Sequence, residues 1–149
     1  MRDLSGTPLF NLADPKSKCR LMREALDALD SNPDLAFVSL HLVSAFIDGL
    51  AAGNTGKTKA SYLLYLQEHF PQLCQELGAE IFYTHVRSKA VHEFALRPPL
   101  ALSRSTGMQD KNAYCETVSM DGAEWTLVNL ERVLADFRTH LGSIEGDPS

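Results

Sequence analysis

Cysteine is scarce in this chain. Cys19, Cys74 and Cys115 are the three present, an odd number with no Cys-x-x-Cys pair and no metal-like spacing. That argues against a disulfide framework and a zinc ribbon, and leaves reduced thiols and a cytoplasmic location as the expectation. Basic charge is in deficit as well: 14 Lys and Arg against 19 Asp and Glu leave a net charge of −5. A protein that grips nucleic acid over its whole surface is not expected, although a small basic site on an acidic body remains open. Long apolar runs are missing. The most apolar stretch, Leu35 to Ala52, is interrupted by Ser39, His41, Ser44 and Asp48, so it reads as a buried helix and not as a membrane span. Met1 to Ala13 lack the basic start and apolar run of a signal peptide. Repeats and low-complexity blocks are absent too.

What is present suits one domain over residues 1–149 with a core of its own. The chain has 149 residues, of which 44% are hydrophobic and 22% charged. The ends, 1–13 and 142–149, are rich in turn residues and are expected to be flexible. Between them the period is mostly helical. Asp14-Pro15 is a cap followed by proline at the first helical position, and Cys19, Met22, Leu26 and Leu29 follow at helical spacing, predicting a helix over Pro15 to Asp30. Ser31-Asn32-Pro33 breaks it. A second helix from about Asp34 is apolar on most sides and belongs at the centre of the molecule. Further helices are predicted over about Thr58 to Phe70, Gln72 to Leu77 and Ala79 to Phe94, the last burying Ile81, Phe82, Val86 and Val91.

The period changes after Pro98-Pro99. Residues 113–119 and 124–128 read as strands joined by Asp121-Gly122, a strong hairpin signal, and Leu100 to Ser103 offers a third strand. Asn129 is placed to cap a final helix, Leu130 to Leu141, with Val133, Leu134, Phe137 and Leu141 facing inward. With no alternating strand–helix rhythm, the predicted fold class is all-α: a bundle of about five helices with a small β-hairpin insertion before the last.

One motif misleads. Gly56-Lys57-Thr58 ends like a phosphate-binding loop, yet the required earlier glycine is replaced by Ala51, and the preceding segment is helical where the motif needs a strand. A helix–helix turn with Thr58 as a cap explains the residues better.

Chemistry gathers further on. From Phe82 to Arg104 four cations, Arg87, Lys89, Arg97 and Arg104, face one acid, Glu93, a local charge of 4 − 1 = +3. His85 and His92 lie within it. A positive island with titratable imidazoles suits an anionic substrate such as phosphate. At about 100° per residue, His85, Ser88 and His92 share one stripe of a helix, whereas Arg87 and His92 sit about 140° apart. Arginine's reach, a disturbed last turn or two subunits would bring that pair together. His41, His69 and His140 read as structural, His140 as a charge partner for the dipole at a helix end. Tyr114 and Trp125 read as packing residues.

The run Arg87-Ser88-Lys89-Ala90-Val91-His92 resembles the Arg, four to six residues, His signature of HEPN domains (higher eukaryotes and prokaryotes nucleotide-binding). Phe82-Tyr83 before it, Glu93-Phe94 after it, and the earlier Ala45-Phe46-Ile47-Asp48-Gly49-Leu50 resemble the helical context of that family, so the likeness spans about Asp34 to Leu141. The resemblance implies a helical bundle that forms a homodimer through its motif helices. In many members the shared cleft is a metal-independent endoribonuclease site; others only bind nucleotides or RNA, or serve as partner subunits. Carried onto this chain, it implies Arg87 and His92 as catalytic residues, with Ser88, Lys89 and His85 binding substrate. It implies no cofactor and no metal, and a role in defence or beside a nucleotidyltransferase-like antitoxin. One departure stands out: active members often carry Asn, Asp or His directly after the arginine, where this chain has Ser88.

Overall fold

The computed structural model describes residues 14–52, 58–88 and 99–146. The first helix, α1 (Pro15–Asp30), starts where the cap predicts: the Asp14 carboxylate accepts from the Ser17 backbone N–H at 3.1 Å. Cys19, Met22 and Leu26 of α1 are buried. A 3₁₀ turn, Pro33–Leu35, leads into α2 (Ala36–Ala52). Helix α2 packs against α1, against α3 (Lys59–His69), and against the final helix, α6 (Leu130–Glu145). That central position explains its near-continuous apolar surface, since a helix covered on several sides has no face to leave polar.

Helix α3 begins with a capping box, in which Thr58 and Ser61 exchange hydrogen bonds. This is the structural role of the threonine that imitates a phosphate loop; Gly56 and Lys57 lie outside the described residues. Helix α4 (Pro71–Glu76) follows after Phe70. Then α5 (Ala79–Ile81) passes without a break into a π-helical turn, Phe82–Arg87. These two segments form the described part of the motif helix. Phe82 and Val86 are buried, but Ile81 is 42% exposed rather than in the core. Phe82 and Val86, four apart, take the inward positions, and Ile81, one step round the axis, is turned off that face. The predicted continuation to Phe94, with Val91, lies outside the described residues.

The expected all-α bundle with a hairpin insertion is not what the chain forms. It is mostly helical but carries a three-stranded mixed sheet, β1 (Leu100–Ser103), β2 (Cys115–Met120) and β3 (Ala123–Asn129), in the order β1-β3-β2. The predicted hairpin is there: β2 and β3 pair antiparallel around Asp121 and Gly122, both at positive φ (51° and 78°), as a two-residue turn of this hand requires. What local pattern did not show is that β1 pairs parallel with β3, Leu100 beside Thr126 and Ser103 beside Asn129. Central placement of β3 ties the sheet into the fold. Leu100, Val128 and Tyr114 join the helical core with Phe82, Leu130 and Phe137.

Asn129 closes the strand-to-helix junction. It is fully buried; its Oδ1 accepts from Arg132 N and Ser105 Oγ, and its Nδ2 donates to the carbonyls of Lys111 and Ala113. Helix α6 continues to Glu145, past the predicted end at Leu141, and its tail binds α1 through the Arg23–Glu145 ion pair. No described helix is long and apolar enough to cross a membrane. The three cysteines are all free thiols.

Candidate functional site

Arg87 stands at the end of the π-helical turn and faces α2. Its Nε and Nη2 both donate to Oδ2 of Asp48, at 2.9 and 2.8 Å. The pair is largely enclosed, with side-chain exposures of 19% for Arg87 and 9% for Asp48. Burial opposes the arginine's charge, but the hydrogen bond to Asp48 and that carboxylate's charge outweigh it, and the guanidinium is held more firmly protonated than usual. The guanidinium carbon sits 5.2 Å from the centre of the Tyr83 ring, one helical turn earlier, and Nη1 reaches the Tyr83 hydroxyl at 3.4 Å.

Tyr62 forms the floor of this site. Its ring meets Tyr83 edge-on at 5.3 Å, and its hydroxyl donates to the Ser44 carbonyl at 3.1 Å. Burial, then the nearby Asp48 charge, pushes the Tyr62 hydroxyl well above the ordinary tyrosine range, so it stays a neutral donor. Lys59 reaches toward the same Tyr83 ring, 5.6 Å from its centre, and pairs with Glu80 at 2.9 Å.

Asp48 was missed as a site residue by sequence reasoning, which counted it as an interruption in an apolar run and as part of a helical context, without giving it a role. A signal existed. A lone carboxylate on an inward face of the most apolar helix needs a cation from elsewhere, because burying it unpaired is costly. The partner could not be named from spacing, since 39 residues separate the two.

The predicted site residues do not all gather here. His85, two positions before Arg87, points to the other side of the motif helix, into a cavity of about 270 Å³ against the sheet. Ser88 continues the helix, partly buried. His92 and Lys89 lie outside the described residues. The +3 island is also less free than its sequence suggests. Arg87 is committed to Asp48, and Arg104 lies 3.9 Å from Glu131. Lys89, Glu93 and Arg97 fall outside the description.

The remaining histidines form their own cluster. The rings of His69 and His140 lie 4.7 Å apart, and His140 Nε2 is 2.5 Å from the Tyr65 hydroxyl. Burial, with His69 adding to it, lowers the His140 pKa to about 4. His140 is therefore neutral near pH 7 and is not the helix-end cation expected, and α6 runs on beyond it. Among the described residues no group of three His, Cys, Asp or Glu side chains is placed to hold a metal ion.

Comparison with protein-family models, with curated proteins and with solved structures gives no match to this chain.

Proposed function

We propose that this chain is a HEPN-like module that binds the phosphate of RNA at Arg87 and, as a homodimer paired along the motif helix, cleaves RNA without a metal. The observation that supports this is the state of Arg87. Asp48 fixes one edge of the guanidinium, and the rest keeps N–H groups with no partner among the described residues. An arginine oriented by a second residue and still able to donate is suited to hold phosphate oxygens while charge builds on them.

The chemistry follows from RNA itself. The 2′-hydroxyl oxygen attacks the adjacent phosphorus, and the bond from phosphorus to the 5′-oxygen breaks. The hydroxyl proton passes to a base and the leaving 5′-oxygen takes one from an acid, leaving a 2′,3′-cyclic phosphate and a 5′-hydroxyl. An imidazole, with an unperturbed side-chain pKa of about 6.5, suits either transfer, so His92 would serve, and two protomers supply two copies. Ser88 and Lys89 would contact the strand around the scissile phosphate, and His85, on the other side of the motif helix, would meet it further along. A cytoplasmic location belongs to the same reading.

The test is incubation of the full chain with RNA in EDTA. Cleavage should be lost in His92→Ala and in Arg87→Lys, both checked for native circular dichroism; full activity in both variants rejects the nuclease reading.

A second reading has its own support. Asp48 already neutralises Arg87, and Ser88 replaces the residue common in active members. Those features suit a catalytically silent nucleotide- or RNA-binding module, or one docked on a nucleotidyltransferase-like antitoxin partner. A rise in melting temperature with nucleotides, without any RNA cleavage, selects it.

A further inference from the structure

The side of the motif helix that turns away from Arg87 faces a second site. A cavity of about 270 Å³ opens there between helix and sheet. Its floor is one row across all three strands: Leu100 pairs with Thr126, and Thr126 pairs with Thr117. Its wall is Ile81 and His85 on the motif helix, with Glu76 of α4 and the following Leu77 also lining it. The volume is at or just below the low end of ordinary ligand cavities, which run from about 300 Å³ upward, so a fragment fits and a large cofactor does not.

The polar side chains in it are two hydroxyls, one carboxylate, the His85 imidazole and the Cys115 thiol. Thr117 and Thr126 offer hydroxyls that both donate and accept. The Glu76 carboxylate accepts from Tyr114 N at 3.2 Å and from the Gln72 amide at 2.9 Å. Each carboxylate oxygen takes one of these bonds and retains room for another. Between apolar surfaces from Ile81 and Leu100, this set matches a flat heteroaromatic ring with polar atoms on its edge. The exposed Ile81, anomalous as a core residue, makes sense as one of those surfaces.

We infer that this cleft is a nucleobase subsite that takes one base of the RNA or nucleotide and prefers bases with an exocyclic amino group. The inference rests on the reading that the motif helix meets RNA or a nucleotide, and it names what the far side of that helix recognises. The preference follows from Glu76: an ionised carboxylate accepts and cannot donate, so it favours the amino edge of cytosine, adenine or guanine over the carbonyl edge of uracil. One charge-assisted hydrogen bond corresponds to about tenfold in affinity.

Cys115 lines the same cleft and reports on it. Burial, then Glu76, raises its thiol pKa, so alkylation is followed at mildly alkaline pH in a Cys74→Ser background, with Cys19 buried as an internal control. The full chain is titrated with cytidine, adenosine, guanosine and uridine, none carrying a phosphate. The first three should protect Cys115 from alkylation at concentrations about tenfold below that needed for uridine. Glu76→Gln should abolish that preference. Thr117→Trp, on the exposed edge strand, should block protection while leaving the circular dichroism unchanged. Equal protection by all four nucleosides, or protection that survives Thr117→Trp, overturns the inference.

The two readings fail separately. Nucleosides that protect Cys115 in a chain that neither binds nor cuts RNA leave the cleft standing and remove Arg87 as a phosphate site. RNA bound or cut with no base preference, and no protection by any nucleoside, removes the cleft alone.

Discussion

Asn129 and Arg87 are the two polar nodes on which the described structure turns, and they differ in how fully they are occupied. Asn129 makes four side-chain hydrogen bonds, the full capacity of an amide, and every partner belongs to the loop or helix it joins. Nothing is left over for a ligand. Arg87 carries five N–H donors; two go to one carboxylate oxygen and a third reaches Tyr83 at 3.4 Å. A saturated node serves the fold alone. A node that is anchored on one side and unsaturated on the other has the form of a binding group.

That contrast can be broken by mutation. Asn129→Ala should have the largest effect, about 3 kcal/mol, because it removes the four hydrogen bonds of a fully buried side chain, the α6 cap among them. Urea denaturation measures it, and a loss under about 1 kcal/mol contradicts a structural role for the full set of bonds. Asp48→Ala should cost somewhat less, about 2 kcal/mol, since Arg87 keeps partial access to water. Combining it with Arg87→Ala should restore part of that loss, and simple additivity of the two would show that the pair is not coupled.

The third prediction concerns a node that titrates. The His140 pKa is depressed to about 4 in the folded chain, against about 6.5 unfolded. Its contribution to stability is complete above pH 6.5 and is lost as the pH falls toward 4, because the unfolded state takes up the proton first. Melting temperature should fall by a few degrees over that window, less than a fully buried group would give, since His140 is partly exposed. His140→Phe should flatten the profile; an unchanged profile would remove the cluster as its cause.

Much of the helical frame was legible because its signals are local. Asp14, Thr58 and Asn129 each cap the helix they precede, and Asp121-Gly122 makes the expected turn. Cys19, Met22 and Leu26 face inward on α1, as do Val133, Leu134, Phe137 and Leu141 on α6. The rest depends on residues far apart in the chain. The parallel partner of β1 lies beyond the whole of β2, and nothing in Leu-Ala-Leu-Ser specifies it. The partner of Arg87 lies three helices earlier, on α2. The π-helical turn widens the helix and leaves no mark in composition. The motif singled out Arg87 as a candidate, while its surroundings stayed hidden, because an ion pair across the fold has no period to read.

The parallel ladder also sets an order of assembly in time. The β2–β3 hairpin closes over two residues, whereas β1 meets β3 only after the intervening chain has looped back, and wider loops close at greater entropic cost. Refolding chains should therefore carry a finished β2–β3 hairpin while the row from Leu100 to Thr117 is still incomplete. Pulse-labelled hydrogen exchange during refolding should show the β2–β3 amides protected before Thr126 N–H, which bonds the Pro99 carbonyl. Simultaneous protection would mean that the sheet nucleates as one unit.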